Sequence, residues 1–176
     1  ARLKKSVITI VTQVIVDPKD PSLKNPTKPI GPYYSEQQAG EMRQTGIPMV
    51  KLPRGWRMVV PSPDPLRIVE GPIIRRLLDE GIVVIASGGG GMPVVEKADW
   101  GLDGLEAVVD KDLAAERLAE AVSAELLVIL TDIDRVYLQY GSADQQPLDR
   151  LSLAEVKALY AQQQFPPGNM GPKILS

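Results

Sequence analysis

The chain has 176 residues, a formal net charge of −2 at neutral pH, 44% hydrophobic and 24% charged residues, and neither cysteine nor histidine. That is room for one domain with a real core. The charge gives no electrostatic case for nucleic acid or anionic membrane as a partner, and no apolar run approaches the roughly 20 residues that cross a bilayer. Without cysteine there are no disulfides, zinc–thiolate sites or thiol nucleophiles, and without histidine there is no Ser-His-Asp triad or imidazole acid–base step. Any catalysis must run on Lys, Asp, Glu, hydroxyls and backbone, which favours reactions governed by positioning and charge stabilisation.

The N-terminal "ARLKKSVITIVTQ" places basic residues before an apolar run, but Thr9, Thr12 and Gln13 interrupt that run and make a signal peptide a poor fit. Residues 7–16, "VITIVTQVIV", are β-branched and apolar, the pattern of a strand buried on both faces. From Asp17 to about Pro65 the texture changes. "DPKDPSLKNPTKPIGPYY" and "PRGWRMVVPSPDP" are proline-dense, which blocks long helices and central strands. The stretch is too long for a plain loop, so it reads as an inserted subdomain or lid with short hairpins, packed around Trp56, Tyr33, Tyr34 and "RMVV".

Beyond Pro65 the rhythm is regular. "PIIRRLLDEG" predicts a helix opening near Pro72 and stopping at Gly81. "IVVIA" (82–86) predicts a second buried strand. "EAVVD" (106–110) is a short extended piece that leads into the helix "DKDLAAERLAEAVSAE", with Leu113, Leu118, Ala121 and Val122 on its apolar face. "LLVILTD" (126–132) predicts a third buried strand, and "LSLAEVKALYAQQ" (151–163) a further helix. Apolar strands alternating with amphipathic helices imply an α/β fold with a mainly parallel sheet covered on both faces. Ligands bind such sheets at the carboxyl ends of the strands, which directs attention to "SGGGGMPV", "VVDKD" and "LTDID".

Four glycines, Gly88, Gly89, Gly90 and Gly91, follow the second strand. They are either a flexible connection or a backbone cradle. A P-loop would need Lys and Ser or Thr directly after the glycines, where Met92 and Pro93 stand. The dinucleotide spacing G-x-G-x-x-G fails from either starting glycine. What survives is a nest of N–H groups that offers an anion no cation of its own. Two lysines could supply one. Asp110 is a natural N-cap, which puts Lys111 in the first turn of a helix, where positive charge opposes the dipole. Gly171-Pro172 looks like a helix start and gives Lys173 the same position. Each lysine alone is equally a solvated surface residue; together, at helix starts, they suit a phosphate.

In order along the chain, "VTQVIVDPKDP", "NPTKPIGPYY", "GWRMVVPSPDP", "VIASGGGGMPVV", "EAVVDKDLAAERLA", "LLVILTDIDRVY" and "FPPGNMGPK" resemble the carbamate kinases of the amino acid kinase superfamily, over essentially the whole chain. The resemblance implies a three-layer α/β/α sandwich: a core of residues 1–16 and 61–176 and a protruding lid of residues 17–60. It also implies a cytoplasmic homodimer that moves a phosphoryl group between ATP and carbamate, or from carbamoyl phosphate to ADP. Neither nucleic acid nor a membrane would be a partner.

By that resemblance Lys111 and Lys173 hold the phosphates, Asp110 orients the lysines, and Lys28 reaches from the lid to the substrate. Gly88–Gly91 line the carbamate and phosphoryl site, while Thr131, Asp132, Val136, Tyr137, Met170 and Gly171 line the nucleotide pocket. No side chain is expected to bind metal directly; Mg2+ comes with ATP or ADP, held by phosphate oxygens. Two glycine motifs of the family, G-G-N-A and H-G-N-G, do not occur in this sequence. The chain therefore reads as the middle and later part of a kinase, with exposed sheet edges and little or no activity alone. Another amino acid kinase, or a nucleotide-binding module without catalysis, are the alternatives.

Overall fold

A computed structural model describes residues 4–98, 101–165 and 170–176. The chain divides into two compact units, one ending at Ala124 and the other beginning at Glu125.

The first unit is built on a four-stranded sheet in the order β6-β2-β8-β9, where β2 is Gln13–Val16, β6 Pro65–Ile68, β8 Met92–Lys97 and β9 Gly101–Gly104. Its central pair, β2 and β8, is parallel with Val14 opposite Pro93, and the two outer strands run antiparallel to their neighbours. A separate parallel pair joins β1 (Val7–Thr9) to β7 (Val83–Ile85). The α/β class with parallel central strands is as expected. The single buried strand expected over residues 7–16 is instead two strands. Only β2 is buried, whereas Val7 and Ile8 are exposed, as are Val83 and Ile85 of the expected second buried strand. The parallel pair has no further strand hydrogen-bonded to it among the described residues.

Helices form where the sequence marks their ends. Helix α2 (Gly71–Asp79) has Pro72 in its first turn, and Gly81 beyond it takes a positive φ of 76°; that conformation suits glycine and stops the helix. Helix α3 (Lys111–Ala121) is capped by Asp110, whose side chain accepts from the Asp112 N–H. Val14, Val16, Ile68, Val95, Val109 and Ala114 form the core, with Leu105 and Leu118 packed against it. Sheet and helix α3 therefore share one apolar layer, and the start of that helix lies at its edge.

Residues 28–60 form their own antiparallel sheet in the order β3-β5-β4, from β3 (Lys28–Tyr34), β4 (Met49–Leu52) and β5 (Gly55–Val60). Between β3 and β4 lies a helix that the proline texture concealed, α1 (Glu36–Gln44), started by a capping box of Ser35 and Gln38. Glu36 ties it to the sheet. Its carboxylate accepts from the Trp56 indole N–H at 2.8 Å and pairs with Lys51 at 3.3 Å and Arg43 at 3.5 Å. The indole hydrogen bond first, then Lys51 and Arg43, hold the Glu36 carboxyl below its ordinary value.

The second unit contains a hairpin of β10 (Val136–Leu138) with β11 (Gln146–Leu148), helix α4 (Leu153–Ala161) with a Ser152–Glu155 capping box, and a short helix α5 (Met170–Leu175). The third buried strand expected at residues 126–132 is absent. Leu126, Val128 and Leu130 are exposed at 77%, 65% and 89%, and no strand pairs with the segment among the described residues. An apolar run becomes a buried strand only where neighbours accept its hydrogen bonds and cover its faces.

The core layer sets the first testable outcome. Ile68 is 1% exposed, so Ile68→Ala should cost about 2–5 kcal/mol in denaturant unfolding. Leu66→Ala, two residues away on the same strand but exposed, should stay within about 0.5 kcal/mol.

Candidate functional site

Three segments of the first unit converge at the start of α3. The first is the glycine turn. Ser87 enters it at φ 54°, and Gly89, Gly90 and Gly91 follow with φ of 72°, 112° and 84°. The four glycines are not equivalent. A Cβ on Gly90 would collide with the Val109 carbonyl and lie against the Lys111 N–H, and one on Gly91 would meet Val14 Cγ2 at 2.7 Å and the Thr12 carbonyl at 3.0 Å. These two let the turn press against β2 and the first turn of α3. Gly88 has an ordinary φ and, like Gly89, nothing within 4 Å of a built Cβ. Neither packing nor backbone geometry requires glycine at 88, and the space beside it is open to a ligand. Gly88 and Gly91 also line a cleft of about 450 Å³ that includes Thr12, Ile85 and Met92.

The second segment is the helix start itself. Asp110 and Asp112 are 5% and 6% exposed, and Lys111 between them is exposed at its side chain, 61%. Lys111 Nζ lies 3.5 Å from Asp112 Oδ2. A lysine that opposes the helix dipole is thus flanked by two carboxylates that favour it. The third segment is the first residue of β3: Lys28 Nζ donates to Asp110 Oδ2. Burial alone would raise the Asp110 pKa. The hydrogen bonds from Lys28 and the Asp112 N–H, and the charges of Lys28 and Lys111, outweigh it and hold the carboxyl below its ordinary value. The carboxylate stays ionised, and the cluster pairs two lysines with two acids.

By the family resemblance Asp110 orients the lysines; in the structure it pairs with Lys28 and feels the charge of Lys111, whose Nζ is also within 3.5 Å of Asp112. Asp112 was missed because an acid in a first helical turn reads as an ordinary partner of the dipole. Its burial beside a lysine becomes visible only once the turn and the sheet are in place.

The remaining expected residues lie in the second unit. Thr131 donates to Asp132 at 3.3 Å, and both are exposed and lie outside any strand. Val136 and Tyr137 are on β10, and the Tyr137 hydroxyl donates to Asp134 at 2.9 Å. Met170 and Gly171 open α5, with Lys173 its fourth residue. Among the described residues no three acids gather to hold a metal, and no helix is long and apolar enough to cross a membrane.

A glycine turn set against a lysine-bearing helix start, on a sheet with parallel central strands, fits a phosphate-handling α/β protein. The chain belongs to the amino acid kinase family, whose model matches residues 33–176. Within that family it is similar to carbamate kinases. That of Pyrococcus horikoshii is 49% identical over 176 residues, 99% of this chain and 56% of that protein, and that of Thermoplasma acidophilum is 48% identical over 99% of this chain and 57% of that protein. Among solved structures, carbamate kinase from Giardia lamblia bound to citric acid superposes with a TM-score of 0.87 at 40% identity, covering 97% of this chain and 54% of that one. The same enzyme bound to AMP-PNP gives 0.82 at 41% identity, covering 97% of this chain and 55% of that one. The chain thus spans about half the length of the relatives it matches.

Two outcomes test the packing of the site. Gly90→Ala should strongly destabilise the first unit, because backbone atoms must move, whereas Gly88→Ala should leave thermal unfolding unchanged or slightly raised. The depressed Asp110 pKa stabilises the fold above the unfolded carboxyl value, about 4, and that contribution fades as pH falls through the lower folded value. Asp110→Asn should therefore flatten the acid side of the stability–pH curve, read by denaturant unfolding between about pH 2 and 6.

Proposed function

We infer that the whole protein transfers a phosphoryl group between ATP and carbamate, the activity for which the similar proteins from Pyrococcus horikoshii and Thermoplasma acidophilum are named. The observation that carries this reading is the convergence of the open glycine turn, Lys111 and Lys28 at one helix start. A carbamate oxygen is already anionic, so its attack on the γ-phosphorus of ATP needs no general base. One P–O bond forms to carbamate as the bond to the ADP oxygen breaks. The protein's task is to align the two oxygens and to offset the charge that develops on the phosphoryl group. A chain without histidine can do this.

In this reading Gly88 and Gly89 let a phosphoryl or carbamate oxygen approach backbone N–H groups, with Gly90 and Gly91 holding the turn in place. Lys111, aligned by Asp112, and Lys28, held by Asp110, neutralise the transferring group, and Lys173 takes the nucleotide phosphates. Asp110 keeps its helix cap throughout. Residues 17–60 act as a lid that carries Lys28 to the substrate. Thr131, Asp132, Val136, Tyr137, Met170 and Gly171 line the nucleotide pocket. Magnesium supplies further charge neutralisation and arrives on the phosphate oxygens of the nucleotide. The protein works as a cytoplasmic homodimer. An amino acid kinase acting on another carboxylate would use the same cluster, and substrate profiling separates the two.

The test is formation of ATP from carbamoyl phosphate and ADP by the whole protein. Lys111→Ala should lower kcat by about 100-fold or more while ADP affinity changes only a few-fold. Asp112→Asn should lower kcat less than Lys111→Ala. Equal losses of rate and ADP affinity would sink the catalytic assignment of Lys111, and no turnover with carbamoyl phosphate would sink the substrate. The 176-residue polypeptide alone should show little or no turnover.

A further inference from the structure

The small sheet of residues 28–60 carries two cation–aromatic clusters, and only the one around Trp56 includes an acid. Around Trp56, Arg43 lies 4.4 Å and Lys51 5.8 Å from the ring centroid, and both cations share the Glu36 carboxylate. Around Tyr33, Arg54 lies 4.8 Å and Arg57 5.5 Å from the centroid. Neither of these arginines has an acidic partner among the described residues. Arg57 donates one Nη2 bond to the Gly31 carbonyl at 2.9 Å, and its Nε is buried with no acceptor at all. Tyr33 is 40% exposed and Arg54 stands on the exposed turn between β4 and β5.

Two positive charges gathered on one ring repel each other, and the ring offsets that only in part. A guanidinium held by its face keeps its N–H edge for an acceptor, and that edge matches the oxygens of a phosphate or carboxylate. A dianion would offset both charges and accept from the guanidinium N–H groups that face solvent. We propose that Tyr33, Arg54 and Arg57 form an oxyanion site for a phosphate-type dianion, at the end of β3 opposite Lys28. It is separate from the cluster at the start of α3 and stands whether or not the catalytic reading does. Free phosphate and the phosphate of a nucleotide share this chemistry.

The experiment is NMR of the arginine side chains and backbone amides of the 176-residue chain during titration with inorganic phosphate and, separately, with ADP. Saturable shifts of the Arg54 and Arg57 signals at millimolar phosphate are expected. Arg54→Gln, an exposed turn substitution that leaves the fold alone, should weaken them about fivefold or more. Arg57→Lys keeps the charge but removes the fork, and should weaken them similarly. Arg43→Gln, in the cluster that already holds the Glu36 carboxylate, should change nothing. A response to ADP as well marks a phosphate carried on a nucleotide as an equal source of the anion. Shifts confined to the glycine turn, an unchanged affinity in Arg54→Gln, or a response to ADP without one to phosphate would each overturn the proposal.

Discussion

The carboxylate of Asp110 is the hinge of the first unit. It caps α3 by accepting from the Asp112 N–H, and it receives Lys28 from a strand that precedes it by 82 residues. One group therefore sets where the helix begins, where the small sheet meets the core and which way Lys28 is drawn. A buried carboxylate is tolerable only when ionised partners and backbone donors surround it, and here they come from both parts of the unit. Removing it would free a lysine, uncap a helix and leave the small sheet without its described ion pair to the core.

The glycine turn depends on the same corner. Val109 and Lys111 form the wall against which Gly90 lies, so the turn and the helix start fit only together. Close approach of backbone to backbone excludes side chains at two of the four positions, and the other two face open space. A run of identical residues thus contains two different requirements, one set by the interior of the protein and one left for whatever enters the cleft.

Much of this was legible before any coordinates. Pro72 with Gly81, and Asp110 as a cap, mark their helices because capping is local chemistry. The proline-dense stretch announced a separate piece of structure, but α1 escaped notice. Only Ala39 of that helix is buried, so it has almost no apolar periodicity to read, and its Ser35–Gln38 box was the available signal. Residues 126–132 failed in the opposite sense: their pattern is strong, yet a strand is a relation between segments rather than a property of one. The glycine turn, Asp110, Lys111 and Lys28, each singled out in the sequence, come together at the start of α3. Which carboxylate each ammonium reaches was not legible, because that depends on the folded geometry.

The insertion of the small sheet also bears on how the chain acquires its shape. In the small sheet Leu52 pairs with Gly55 across a tight turn, and β3 pairs with β5, the other strand of that hairpin. The central ladder instead waits for Gln13 to meet Met92. Closing a short loop loses less entropy than closing a long one, and local topologies assemble faster. During synthesis the small sheet can therefore consolidate while β2 still lacks its neighbour. The order of assembly then runs from the periphery inward: the ornament sets first, and the keystone strand arrives last.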